Sequence, residues 1–456
     1  MVKGEFIMKS YEMDMCSGPL FRRMLVFTVP LICSGILQLF FNAADIIVVG
    51  KFSGEHALAA VGSTSSLINL LLNLVIGVSL GASVIVGRNY GAKHKSAVRK
   101  SVHTAIAVAL WSGVIMLFIG VLLSPPILKL MGTPDDVIKL STLYMRIYFL
   151  GMPSMMLYNF GASVLRAAGD TRRPLYILAG AGMINIFLNL IFVVGMNLSV
   201  AGVALATIVS ETISAFMVMR ILIKTDGFLH LDIKRIKIHK KFFKEMLKVG
   251  LPAGIQGVFF NISNVLIQSS VNSFGSVVMA GNTAAVTLEG FVDTSILAIY
   301  QTTLNFTSQN MGARKYSRIG KIFTSSLIMS VVTGLIFGGG TYIFADKLLK
   351  ICISTEEAIS YGAVRLGIVA VSYPLCGIMD VGASILRGMG YSILPTVVVL
   401  IGACIFRVVW ILTVFKEYHS LVVLYFSYPI SWFLTSLILI GCYLYLKRRF
   451  VERENK

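Results

Sequence analysis

Apolar residues in this chain run in long blocks separated by short polar stretches. Twelve blocks stand out, at 24–49, 58–87, 102–124, 141–165, 175–196, 202–223, 247–273, 281–308, 322–344, 362–386, 395–415 and 421–446. Each is long enough to cross roughly 30 Å of hydrocarbon as a helix rising ~1.5 Å per residue. A membrane strand would need only about 10 residues and strict alternation of apolar with polar positions. The pattern predicts an all-α polytopic membrane protein with twelve transmembrane helices.

The pattern also repeats. A shift of 221 residues lays "NYGAKHKS" (89–96) on "NMGARKYS" (310–317) and "FGASVLRAAGDTRRP" (160–174) on "VGASILRGMGYSILP" (381–395). Pro153 meets Pro374 in the same frame, and at 222 residues Pro30, Gly35 and Asn42 meet Pro252, Gly257 and Asn264. Each half has an even number of spans, so both enter the membrane with the same polarity. That is a parallel repeat, the plan of transporters whose two bundles rock to give alternating access. The expected division is an N-terminal segment 1–23, a six-helix bundle 24–223, a basic linker 224–246, a second six-helix bundle 247–446 and a tail 447–456. The mirrored prolines predict helix kinks, either fixed or bending as the bundles move.

Composition sharpens this picture. The 456 residues are 56% hydrophobic and 13% charged, where soluble domains carry about 25%. A formal charge of +19 would suit nucleic acid, but the basic residues sit in short loops rather than on one face or tail. On alternate loops the count is lopsided: 31 of the 40 Lys and Arg fall on one side, against six lysines on the other. The positive-inside rule then puts both termini and the 224–248 stretch in the cytoplasm. That stretch is an orienting linker or a patch for anionic lipid. The six cysteines are scattered, with no CxxC, and read as small buried apolar residues.

Acids inside the spans carry the candidate chemistry, because a carboxylate at mid-membrane costs ~2.5–3.5 kcal/mol and is seldom placed idly. Asp45 lies six residues before Lys51, with Asn42 one turn earlier. It is either an interfacial acid paired with Asn42 or a site for an ion or proton. Its repeat counterpart is Ile267, whereas Pro30, Gly35 and Asn42 are duplicated, which favours the second reading. Glu289, Asp293, Asp380 and Glu211 are further candidate cavity acids, the first two sharing a helix face four residues apart. Asn185, Asn189 and Asn264 are candidate polar cavity residues. Arg407 reads as a counter-charge to one of the acids.

"ALAAVG" (57–62) after Pro30, Asp45 and Gly50, "GRNYGA" closing span two and "LRAAGDTRRP" after span four resemble the multidrug and toxic compound extrusion family, from about residue 20 to 446. The resemblance implies a secondary antiporter exporting amphipathic organic cations against Na⁺ or H⁺, with Asp45 in coupling. Two departures concern the ion: "FFNIS" (259–263) lacks a glutamate found in one branch, and Asn189 replaces an aspartate of another. A competing function is export or flipping of a lipid-linked or specific metabolite. No HExxH, GxSxG or Walker A loop indicates an enzyme. The expected partners are small amphipathic cations, the coupling ion and the bilayer of the plasma membrane. No other cofactor, metal or nucleic acid is expected, and the chain is expected to act as a monomer.

Orientation can be tested directly. Single cysteines at Lys51 and Lys347 should label from outside intact cells, and those at Lys95 and Lys237 should not; reversed labelling would invert the topology.

Overall fold

The computed structural model describes residues 11–454, so the first ten residues of the expected N-terminal segment and the last two of the tail lie outside the described residues. The described residues are mostly helical, with no strand. In the first half the spans are Leu20–Ser53, Glu55–Gly91, Lys95–Leu130, a broken fourth element, Arg172–Gly195 and Ser199–Lys224. The second half has Lys240–Asn272, Ser276–Gly312, Tyr316–Ile343, a broken tenth element, Ile393–Phe415 and Leu421–Glu454. Among the described residues ten helices are long and apolar enough to cross a membrane, and Glu356–Ala370 with Tyr373–Gly388, bent by 41°, makes an eleventh. This is a multi-pass membrane protein.

The fourth block forms Asp135–Leu150 and Met152–Ala167, each of 16 residues and too short to span alone. A shift of 221 carries 135 onto 356, 152 onto 373 and 167 onto 388, so this pair is the counterpart of the eleventh crossing. The breaks have one cause. Pro153 and Pro374 stand in the first turn of the helix after each break, where a missing N–H and a fixed ring end the preceding helix. Neighbouring glycines let other spans close over them. A Cβ added at Gly113 would lie 2.5 Å from Pro153 Cα, and one at Gly334 would lie 2.8 Å from Pro374 N. Positions 113 and 334 are themselves 221 apart, so the glycine-on-proline contact is built twice.

The chain folds as two compact units, Met1–Asp14 with Cys33–Gly254 and Met15–Ile32 with Ile255–Lys456. The sequence places the division at the linker, 224–246. The structure places it inside two helices, after Ile32 and after Gly254, each two residues past a mirrored proline. The linker lies in the first unit, because its backbone docks onto span three: Asp232 N–H donates to His103 Nε2 (3.1 Å) and His239 N–H to Thr104 Oγ1 (3.2 Å). Burial, with Lys237, Lys100 and His103 nearby, holds the His239 imidazole below its ordinary range and hence neutral at pH 7.

Close helix approach holds each unit together, as expected where lipid removes the hydrophobic drive between helices. In the first unit Gly77 and Gly81 meet Gly250 and Gly254 so closely that a Cβ at Gly77 would lie 2.3 Å from Gly254 N. In the second, Thr28 and Thr302 share a hydroxyl hydrogen bond of 2.7 Å, and Phe27 meets Phe306 edge to face. The repeat registers set Gly250 against Thr28 and Gly81 against Thr302, so one contact is made by glycines and its counterpart by threonines.

Replacing Gly113 by leucine should force span three off Pro153 and lower stability by about 1–3 kcal/mol. Thermal unfolding of the purified protein would show this as a lower transition, with Gly180→Ala, which meets nothing within 4 Å, as the silent control.

Candidate functional site

In the first unit, three predicted residues come together. Asn185 and Asn189 stand one turn apart on the α-helical part of span five, hence on one face. Asn189 donates through Nδ2 both to Asp45 Oδ1 and to Asn185 Oδ1, the latter at 3.2 Å. Directly after Asn189 the helix widens into a π turn, Leu190–Gly195, a feature that recurs at functional positions. Asn189 is completely buried, and its Oδ1 has no hydrogen-bond partner. Leaving an amide oxygen unmatched beside a carboxylate inside a membrane span costs free energy. Asn42 is not part of this cluster. It is exposed, and Asn189 takes the place beside Asp45 that the sequence assigns to Asn42.

Glu211, on span six, is half-buried, and its Oε2 is covered without a partner. It lines a small cavity with Tyr148, Gly151, Met155, Thr207 and Ile208. Tyr144 and Tyr148, whose ring centroids are 5.9 Å apart, stand on the first part of span four. Nothing in the linear pattern singles them out from the many aromatic residues of the spans.

The acids of the second unit are disposed differently. Glu289 is buried and fully engaged by Arg365, which donates Nε to Oε1 (2.9 Å) and Nη2 to Oε2 (2.7 Å). Arg365 Nη1 donates to Asn282 Oδ1 at 3.0 Å, Tyr425 donates its hydroxyl to the same oxygen at 3.1 Å, and Asn282 Nδ2 donates to Gln268 at 2.8 Å. The guanidinium also lies 5.3 Å from the ring centroids of both Tyr425 and Tyr428. This closed network locks Glu289. Asp293, one turn along, is exposed instead, so the shared helix face divides into a buried and an open position. Asp380, half-buried on span ten, is within electrostatic reach of Asp293 and Arg387. Asn264 is exposed and joins no cluster among the described hydrogen bonds.

Arg407 departs from its expected role. It is completely buried, yet what surrounds it is aromatic: the rings of Tyr428, Phe260 and Trp432 lie 4.2, 5.5 and 5.5 Å from its Cζ. Its Nε donates to Ser431 Oγ at 3.0 Å, and its Nη2 has no partner. Ring faces, not a carboxylate, stabilise this cation.

The two halves use the same positions for different chemistry. Asp45, Asn185 and Asn189 correspond to Ile267, Phe406 and Trp410, while Glu289 and Arg365 correspond to Ile68 and Tyr144. Even the π turn after Asn189 has a partner, Ile411–Phe415 after Trp410. The scaffold is duplicated and the oxygen cluster is not. Among the described residues no three His, Cys, Asp or Glu side chains gather as a metal site. The oxygens of the first-unit cluster are those of the Asp45 carboxylate and of the Asn185 and Asn189 amides.

A family model described as MatE matches the chain twice, over residues 30–191 and 252–413. "Probable multidrug resistance protein YoeA" of Bacillus subtilis (strain 168) is 29% identical over 443 residues, covering 94% of each chain. "Multidrug export protein MepA" of Staphylococcus aureus (strain NCTC 8325 / PS 47) is 21% identical over 397 residues, 87% of this chain and 88% of that one. Two solved structures share the fold over 98% of this chain and 100% of theirs. They are "Crystal structure of MATE in the bent conformation" (TM-score 0.90, 18% identity) and "Outward-facing conformation of a multidrug resistance MATE family transporter of the MOP superfamily" (TM-score 0.89, 19% identity).

The Glu289–Arg365 pair should behave as a structural lock. Arg365→Met leaves a buried carboxylate unpaired and should cost about 3–5 kcal/mol, whereas Arg365→Met with Glu289→Leu should recover most of that loss. Thermal unfolding of the two variants decides it; equal destabilisation by both would remove the lock.

Proposed function

The chain belongs to the MatE family, the multidrug and toxic compound extrusion transporters, and on that premise we propose that it exports amphipathic organic cations by antiport against an inward cation, Na⁺ or H⁺. It does so by alternating access, as a monomer in the plasma membrane with both termini in the cytoplasm. The observation that carries the reading is the unmatched Asn189 Oδ1 beside Asp45, in a cluster that the second half lacks.

The mechanism follows from what this cluster can do. With the Asn189 amide nitrogen towards Asp45, a hydrogen bond steadies the carboxylate. With that amide turned over, its oxygen joins the carboxylate and Asn185 Oδ1 around a cation. A proton achieves the same neutralisation by binding the carboxylate itself. In each case ion and cationic cargo compete for one negative charge, so arrival of one favours release of the other. A ligand moves a conformational equilibrium only by binding one state more tightly, and exchange of neighbours at Asp45 provides such a difference. The relatives' names, a probable multidrug resistance protein and a multidrug export protein, support a multidrug cargo.

Asp45→Asn keeps the shape and removes the charge. Cells carrying it should insert the protein normally but accumulate an ethidium-like dye as vector controls do, while Ile267→Asn should leave efflux near normal. Asn189→Ala should raise the ion concentration for half-maximal transport in vesicles about 10-fold. Dissipating Na⁺ and proton gradients together should abolish wild-type efflux; efflux that survives this and stops on ATP depletion would refute secondary antiport.

A further inference from the structure

Glu211 has no place in the cluster just described, and its surroundings are unusual for a membrane carboxylate. Its cavity has a volume of about 10 Å³, room for about one water. Hydroxyl groups stand close by, but they are engaged elsewhere: Thr207 Oγ1 donates to the Val203 carbonyl at 3.0 Å, and Thr212 Oγ1 is shared between the Ile208 carbonyl at 2.7 Å and Ser154 Oγ at 3.0 Å. Ser210 Oγ likewise donates to the Thr207 carbonyl at 2.9 Å. None of these hydrogen bonds reaches Glu211, whose Oε2 is covered and unpartnered.

The ionisable groups around it are phenols. Tyr148, on the first part of span four, lines the same cavity, and Tyr158, on the second part, is within electrostatic range, with Arg166 beyond it. Tyr148 is thus within electrostatic range of Glu211, Tyr144 and Asp45, and Tyr144 within range of Asp45, all within the first unit. The cavity sits beside the break of span four, and Gly151, at that break, is one of its walls.

Ca²⁺ or Mg²⁺ would need about six oxygens around it, and this space admits one water. A proton needs only the carboxylate. We propose that Glu211 is a second proton-binding carboxylate of this transporter, exchanging its proton through one cavity water and the hydroxyls of Tyr148 and Tyr144 with the Asp45 site. Each phenol passes on one proton and receives another, so it ends neutral and no other reactant is consumed. The proposal rests on the cation-coupled reading of Asp45 and adds to it a proton store beside the hinge of span four.

Infrared difference spectra of the purified full-length protein, stepped between roughly pH 5 and pH 9, report protonated carboxyl groups by their carbonyl bands. Glu211→Gln should remove one band and halve the protons released into weak buffer per dye bound, and Glu211→Asp should shift that band rather than remove it. Tyr148→Phe should keep the band and slow the release at least several-fold. Spectra of Glu211→Gln and Glu211→Asp both matching wild type would overturn the proposal. If vesicle transport follows a Na⁺ gradient and ignores a pH gradient, yet the band still depends on Glu211, proton coupling fails while Glu211 remains a proton site. Should Glu211→Gln fail to fold, the Glu211→Asp band shift and the Tyr148→Phe rate still decide the question.

Discussion

Inside a bilayer a polar group has no water to turn to, so it must find its partner within the protein or bear the whole cost of leaving solvent. That constraint orders nearly everything in this chain. Backbone groups are satisfied by helices. Hydroxyls fold back onto carbonyls one turn earlier, as Thr302, Thr303 and Ser308 do along span eight. Glu289 is held by both nitrogens of a fork, and Arg407 is wrapped in rings. Several buried side-chain atoms still lack a partner, Arg407 Nη2 and Asn310 Oδ1 among them, and of these Glu211 Oε2 belongs to a membrane carboxylate and Asn189 Oδ1 lies beside one. These last two are in the first unit, and both adjoin a departure from regular helix: the π turn of span five and the break of span four.

Duplication supplied the scaffold, and the two copies then diverged in their polar residues. Mirrored prolines, the glycines packed on them and the π turns of spans five and eleven persist in both copies. The polar residues do not persist. One half gathers amide and carboxylate oxygens where the other has Ile267, Phe406 and Trp410, and the other builds an ion-paired network where the first has Ile68 and Tyr144. Rigid closure around Glu289 in one unit and unfilled oxygen valences in the other are complementary solutions to the same cost of burial.

Spans and repeat were legible because apolar length and a constant offset are properties of many residues at once. Helix ends were less so: span three starts at Lys95, seven residues ahead of the apolar block, because His94 caps it in a polar loop by accepting from Ala97 N–H at 3.2 Å. Single partners were least legible. Asn42 is the nearest candidate to Asp45 along the helix, but Asn189, 144 positions away, reaches the carboxylate. Arg365 lies three residues into the apolar block of span ten and looks like a boundary charge, while its partner Glu289 is 76 positions distant. Arg407 was expected beside an acid, since nothing in a linear sequence tells that three rings converge on one side chain. Asp45 itself was visible, because a lone acid absent from the second copy needs no tertiary information to be noticed.

The sharing of the first helix of each half has a consequence for how the protein is made. The first unit includes residues up to Gly254, and the second includes Met15–Ile32. A ribosome that has finished span six has therefore not yet made all of the first unit: Gly250 and Gly254, against which Gly77 and Gly81 close, come one span later. The segment Met15–Ile32, synthesised first, waits for nearly the whole chain before its own neighbours Thr302 and Phe306 exist. Neither half is then an independent folding module, and severing the chain in the linker would leave each fragment holding a piece of the other's core.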